Sequence, residues 1–271
     1  MPADLPFIVE PDALEAALGT PGLLVVDLND AAAFVQGHVP GAVNLPYPSL
    51  IGPQPPAMGR IASAEQLSRA FSSIGMTPDS HVVAYDAEGN GRASRLLWTL
   101  DVVGHKRASL LNGGWRAWAG EGHKVESGPV SPTPSDYKVS IKGDVIARKD
   151  YILGHLKDPK VLVLDVRSPA EYAGQDVRSA RGGHIPGAVN MDWTQALDRA
   201  RGLRLKPAAE LRAILDKLGV TPDKEVITHC QTHQRSAHTY VVLKSLGFTR
   251  IKGYDGSWSE WGNDPTLPVE S

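Results

Sequence analysis

Seven consecutive residues, Cys230-Gln231-Thr232-His233-Gln234-Arg235-Ser236, join the only thiol of the 271-residue chain to a permanent cation five residues further along. They follow a β-prone run, Glu225 to His229, and lead into a segment with helical character, Ser236 to Leu246. A short loop between a strand end and a helix start turns several backbone N–H groups toward its first side chain, and the helix dipole adds positive potential at the same point. A thiolate placed there ionises well below the free value of about 8.5. Such a sulfur suits nucleophilic chemistry in which it must also carry a transferred anionic group.

Three other roles are open to residues of these types. A free cysteine is often a small buried apolar side chain, but a polar loop at a strand end is not core. His229, His233 and His238 lie close to the thiol, yet one thiol with histidines on a tight loop lacks the paired spacing of a zinc site. No metal is expected. Cysteine phosphatases and arsenate reductases also place an anion-cradling loop after a His-Cys pair, but with five residues before the arginine. Four intervene here, and the tighter cradle matches a single terminal sulfur better than a phosphate.

The elements that must hold this loop occur twice. Leu23-Leu24-Val25-Val26-Asp27 returns as Val161-Leu162-Val163-Leu164-Asp165, and Gly37-His38-Val39-Pro40-Gly41-Ala42 as Gly183-His184-Ile185-Pro186-Gly187-Ala188. Gly75-Met76-Thr77-Pro78-Asp79 and Gly113-Gly114-Trp115-Arg116-Ala117-Trp118 likewise return from Gly219 and Gly256. Four blocks in the same order, offset by 138 to 146 residues, imply two homologous domains. Each alternates apolar strands with amphipathic helices, which predicts an α/β fold, a parallel sheet with helices on both faces. Strands are expected at His81 to Tyr85 and Glu225 to His229. Helices are expected from Ser63, opening on a capping-box pattern, and from Pro207 to a stop at Gly219. A Gly-, Ser- and Pro-rich stretch after Gly120 reads as an extended linker. The expected division is 1–122, linker 123–140, and 141–271. Aligning the strands puts Asp86 where Cys230 stands. A carboxylate cannot accept sulfur as a persulfide, so the first domain is expected to be catalytically silent.

Composition narrows the setting. There are 28 Lys and Arg against 30 Asp and Glu, a formal charge of −2, so there is no electrostatic footprint of a general nucleic-acid or membrane-surface binder. No apolar run approaches the length of a membrane span, and no secretory signal is visible. A lone thiol excludes an intrachain disulfide and fits a reducing cytoplasm.

These motifs resemble the tandem-domain rhodaneses, the thiosulfate sulfurtransferase family. The resemblance rests on Phe34 followed by His38-Val39-Pro40-Gly41-Ala42, on Asp165-Val166-Arg167 with Glu171-Tyr172, and on Tyr254-Asp255-Gly256-Ser257-Trp258-Ser259-Glu260-Trp261. It covers essentially the whole chain. The loop resembles that of a bacterial two-domain subgroup with Cys-Gln-Thr-His-x-Arg. It departs from the mercaptopyruvate branch, whose cysteine precedes Gly-Ser-Gly-Val-Thr. It also departs from the animal thiosulfate enzymes, where Lys and Arg stand at the positions of Thr232 and Pro186. The resemblance implies that Cys230 is the catalytic nucleophile, taking sulfur from thiosulfate as a persulfide and passing it to cyanide or a thiol, without a cofactor. Gln231, Thr232, His233, Gln234, Arg235 and Ser236 would bind substrate, with Arg235 on the sulfonate end and His233 and Gln234 at the loop tip. Trp193 is a candidate pocket wall, Arg178 and Arg181 are further candidate cations, and Arg167 is expected to pair structurally with Glu171. A monomer is expected. Mercaptopyruvate sulfurtransferase, a persulfide carrier to a protein partner and, more remotely, a phosphatase or arsenate reductase remain as alternatives.

Overall fold

The computed structural model describes residues 5–271. Its first sheet contains β1 (Ile8–Val9), β2 (Leu23–Asp27), β3 (Val43–Asn44), β4 (His81–Tyr85) and β5 (Ala108–Leu111), in the order β1-β5-β4-β2-β3. The second contains β6 (Ile146–Ala147), β7 (Val161–Asp165), β8 (Val189–Asn190), β11 (Glu225–His229) and β12 (Ile251–Tyr254), in the matching order β6-β12-β11-β7-β8. Between β8 and β11 the chain forms a two-stranded ribbon, β9 (Leu197–Asp198) with β10 (Arg204–Leu205). All pairings within the two larger sheets are parallel. The helices of the first half are α1 (Pro11–Ala17), α2 (Ala31–Gln36), α3 (Ala64–Ser73), α4 (Gly91–Val103) and α5 (Gly114–Gly120). Those of the second are α6 (Lys149–His155), α7 (Pro169–Tyr172), α8 (Ala208–Lys217), α9 (Arg235–Ser245) and α10 (Ser257–Trp261).

β4 and β11 occupy the residues expected of them, and their runs are buried almost throughout, as central strands covered on both faces require. Helix starts differ in detail. Pro207 caps α8 in an extended conformation instead of entering its first turn, while Gly219 takes the left-handed position that ends the helix. Ser63 accepts from the Gln66 N–H, but the Gln66 side chain donates to the Ser49 carbonyl and does not complete a capping box. The complete box forms at Ser168 and Glu171, opening α7.

The repeated signatures are packing devices. His38 stacks on Phe34 at 3.9 Å and His184 on Tyr172 at 3.7 Å, each ring nitrogen Nδ1 reaching its partner's carbonyl. Trp118 and Trp261 are fully buried, their indole N–H groups donating to the Lys124 and Pro268 carbonyls.

The chain forms two compact units, but it does not divide at one point. The first unit comprises Met1–Leu50, Ala62–Lys142 and Asp198–Leu205, and the second Ile51–Ile61, Gly143–Leu197 and Lys206–Ser271. Each unit thus includes a loop from the other half of the sequence, a feature with no periodic or compositional signal. The extended segment after Gly122 is not a free tether. Tyr137 is buried edge-on against Phe71, and its N–H donates to Ser72 Oγ.

In the second unit Arg167 pairs with Asp165, with Nε at 3.0 Å from both carboxylate oxygens, and not with Glu171 as expected. Its guanidinium also donates to the Gly183 carbonyl and lies 4.4 Å from the Trp258 ring centre. Both partners are at most 1% exposed. Removing one member of such a pair leaves the other charged and unsolvated, so Arg167→Ala should lower unfolding free energy by about 3–5 kcal/mol, measured in urea.

Candidate active site

Cys230 follows the last residue of β11, and α9 begins at Arg235. Between them the loop must turn within four residues, and His233 adopts a left-handed φ of +57° to do so. The turn brings the Thr232 and Ser236 amides to the side of the thiol where they favour its ionised form, and Ser236 Oγ stands 3.5 Å from Sγ. The loop is pinned from outside by α10, whose Trp258 and Ser259 N–H groups donate to the carbonyls of Cys230 (2.9 Å) and Gln231 (3.0 Å).

The first unit shows what this turn is built to hold. Asp86, at the corresponding strand end, is buried and accepts four backbone N–H bonds, from Glu88, Asn90, Arg92 and Ala93 at 2.8–3.0 Å. Burial pushes its carboxyl pKa up against the pull of those amides. The same strand–loop–helix turn thus encloses a carboxylate in one unit and a thiol in the other.

Cys230 is 1% exposed, so burial pushes its thiol up, but the Arg235 charge, the Ser236 hydroxyl and the two amides outweigh it. Its pKa lies below the ordinary cysteine value. Arg235 is itself held: its two terminal nitrogens reach Glu171 at 2.7 and 2.8 Å. Burial pushes Glu171 up, yet the Arg235 pair, with the Ser168 N–H and Arg178, brings it down to about 2. Arg235 therefore stands between a carboxylate and the thiol, its charge shared between them.

Several expected residues lie elsewhere than anticipated. His233 is not at an exposed loop tip: it is fully buried, with Nδ1 2.7 Å from Ser236 Oγ. If the Ser236 hydroxyl donates to sulfur, His233 must carry its proton on Nδ1, which orders the loop from within. The Gln231 side chain turns away, donating to the Arg178 carbonyl and Ser179 Oγ. Thr232, Gln234 and Arg235 keep partial exposure at the rim. Trp193 is half-buried and packs edge-on against His238, 5.2 Å away. Arg178 lies 3.7 Å from Glu171, at the edge of the site. Arg181 is spent on the Leu267, Trp261 and Asp264 carbonyls and so holds the C-terminal segment. The three histidines near the thiol serve separate partners, His229 facing Asp165 at 3.5 Å. Burial lowers both His229 and His238 to about 4, so neither carries charge at neutral pH.

Sequence reasoning missed the loop Ile51–Ile61, which belongs to the second unit. A Cβ on Gly59 would stand 2.2 Å from the Thr232 carbonyl oxygen, so only glycine fits against the thiol loop. Next to it, Arg60 reaches Asp255 at 3.0 Å and Glu260 at 2.5 Å, while the Ile61 N–H donates to Asp255. The Gly-Arg pair in a Pro- and Gly-rich loop was the only hint, because nothing local says which sheet such a loop serves.

The model of the Rhodanese-like domain matches residues 10–121 and again 149–264. The chain belongs to the rhodanese-like family. It is 46% identical over 269 residues to a thiosulfate sulfurtransferase of Azotobacter vinelandii, covering 99% of this chain and 98% of that one. A thiosulfate sulfurtransferase of Pseudomonas aeruginosa is 44% identical over the same shares of both chains, and a sulfur carrier protein of Thermus thermophilus is 33% identical over 97% of this chain and 95% of that protein. Among solved structures, the 3-mercaptopyruvate sulfotransferase SseA of Escherichia coli superposes with a TM-score of 0.83 at 26% identity, covering 93% of this chain and 98% of that one. Two rhodanese-like domains, each with a parallel sheet and helices, are thereby shown.

Two measurements probe the electrostatics. Arg235→Ala removes the strongest influence favouring the thiolate, so the pH midpoint of Cys230 alkylation should rise and the rate at pH 6–7 should fall. For Glu171, a folded-state pKa of about 2 against an ordinary 4.5 means stability is present in full above pH 4.5 and lost as pH falls through 2. Glu171→Gln should therefore flatten acid unfolding across that window.

Proposed function

We propose that this chain is a thiosulfate:cyanide-type sulfurtransferase working through a persulfide on Cys230. The observation that carries the proposal is a buried thiol held in an N–H cradle whose counterpart encloses a carboxylate. The full-length likeness to two thiosulfate sulfurtransferases supports thiosulfate as donor.

The Cys230 thiolate attacks the outer sulfur of thiosulfate, the S–S bond breaks, and sulfite leaves with the bonding pair. The terminal sulfur, now the anionic end of a persulfide, takes the thiolate's place before the Thr232 and Ser236 amides and the Ser236 hydroxyl. Arg235, already oriented by Glu171, offsets the charge of the donor's sulfonate as it approaches. Cyanide or a thiolate then attacks the terminal sulfur, and the departing electron pair restores the Cys230 thiolate. Two half-reactions through one covalent intermediate give ping-pong kinetics. No second thiol exists in the chain, so the sulfur leaves to an external acceptor. Asp86 cannot form a persulfide, which makes the first unit catalytically silent.

A persulfide carrier is the second reading, favoured by the relative named a sulfur carrier protein. Stable sulfur loading without turnover by small acceptors would select it. The 3-mercaptopyruvate reading is weaker, because the loop lacks the Gly-Ser-Gly-Val-Thr pattern.

Intact mass tests the mechanism directly. Thiosulfate should add one sulfur atom, cyanide should remove it, and Cys230→Ser should gain none. An unchanged wild-type mass would overturn the proposal. Ser236→Ala should slow sulfur loading by about tenfold, the worth of one hydrogen bond to a charged group, seen in stopped-flow at neutral pH.

A further inference from the structure

The first unit retains more than an inert loop. The loop Asp198–Leu205, which follows β8 as Ile51–Ile61 follows β3, belongs to it. The two loops are anchored alike. Arg60 lies between Asp255 and Glu260 in the second unit, and Arg204 between Glu10 and Glu121 in the first, with Nε 2.9 Å from Glu10. Gly59 sits against Thr232, and a Cβ on Gly202 would stand 3.2 Å from Ala117 Cα. The loop carrying Arg199 and Arg201 is closed at one end by Asp198, which accepts the Ala200 N–H, and at the other by the left-handed Gly202.

Two adjoining clefts of about 460 and 540 Å³ open where this loop meets α5 and Ala87, and both are lined by Arg116 and Gly202. Four arginines (116, 199, 201 and 204) face two glutamates, 10 and 121. Arg204 is buried and engaged by both glutamates. Among the described residues, no carboxylate lies within ion-pair distance of Arg116, Arg199 or Arg201. The Arg116 Nε donates to the Ala87 carbonyl, which fixes its guanidinium at the mouth of the Asp86 loop. Trp115, Leu203 and Ala119 supply an apolar wall beside these cations.

We propose that this cleft binds a small organic acid, with its carboxylate or sulfonate on Arg116, Arg199 and Arg201 and its apolar body on Trp115 and Leu203. The volumes fall in the range of pockets for organic ligands, more than an inorganic oxyanion needs. Asp86 does not repel such a ligand strongly, because its carboxylate is sunk beneath the loop and met by four N–H groups. The site is independent of the chemistry at Cys230.

Naphthalene-1-sulfonate is a suitable probe, with 1-naphthalenemethanol as its neutral counterpart. In the full chain, calorimetry should show one-to-one binding of the sulfonate that weakens several-fold as salt is raised to about 0.5 M. Heteronuclear spectra should show the Trp115 indole resonance, assigned with Trp115→Phe, shifting with the same Kd. Arg116→Ala combined with Arg201→Ala should weaken binding about tenfold. Sulfur loading of Cys230 and the melting temperature verify that the variant is folded. Equal affinity for the neutral analogue, an unchanged Kd in the double variant, or a stationary Trp115 resonance would overturn the proposal.

Discussion

An anion without water around it needs donors arranged before it arrives, and this requirement organises both halves of the molecule. At the end of a central parallel strand, the chain has left one row of hydrogen bonds and has not begun the next. The turn into α4 or α9 points its unspent N–H groups inward, at the first side chain of the loop. In one unit that side chain is the Asp86 carboxylate, and in the other it is the Cys230 sulfur. The rest of each unit keeps the turn in place.

Around Cys230 the restraints come in layers. Ser236 and His233 order the loop from inside, and the N–H groups of α10 hold its carbonyls. Glu171 fixes Arg235, and Glu171 is itself fixed by the capping box that opens α7. The layering explains why burial does not suppress ionisation. Desolvation alone would keep the thiol neutral, but a permanent cation and three hydrogen-bond donors act at short range in a medium that screens them weakly. The histidines contribute geometry, because burial keeps His229 and His238 uncharged.

The duplication also separates what the fold needs from what the chemistry needs. Stacked His38 and His184, the buried tryptophans and the anchored arginines 60 and 204 occur in both units, so they belong to the architecture. The thiol and the Glu171–Arg235 arrangement around it belong to one unit. On the other side of that contrast, the first unit has a carboxylate in its cradle and uncompensated arginines above it.

Much of this was legible in the amino-acid sequence. The four ordered repeats determined two α/β domains, the apolar runs determined the central strands to the residue, and the spacing from Cys230 to Arg235 determined the anion-cradling loop. Those features are local: a strand, a turn and a helix start depend on neighbours within a few positions. What only the tertiary structure decided involves partners far apart in the chain. Glu171 lies 64 positions from Arg235, and Asp165, not Glu171, takes Arg167. The burial of His233 and the allocation of loops Ile51–Ile61 and Asp198–Leu205 to their units likewise have no local signature. A charged side chain's partner is set by which surfaces the fold brings within a few ångströms, and residue type and spacing do not encode that distance.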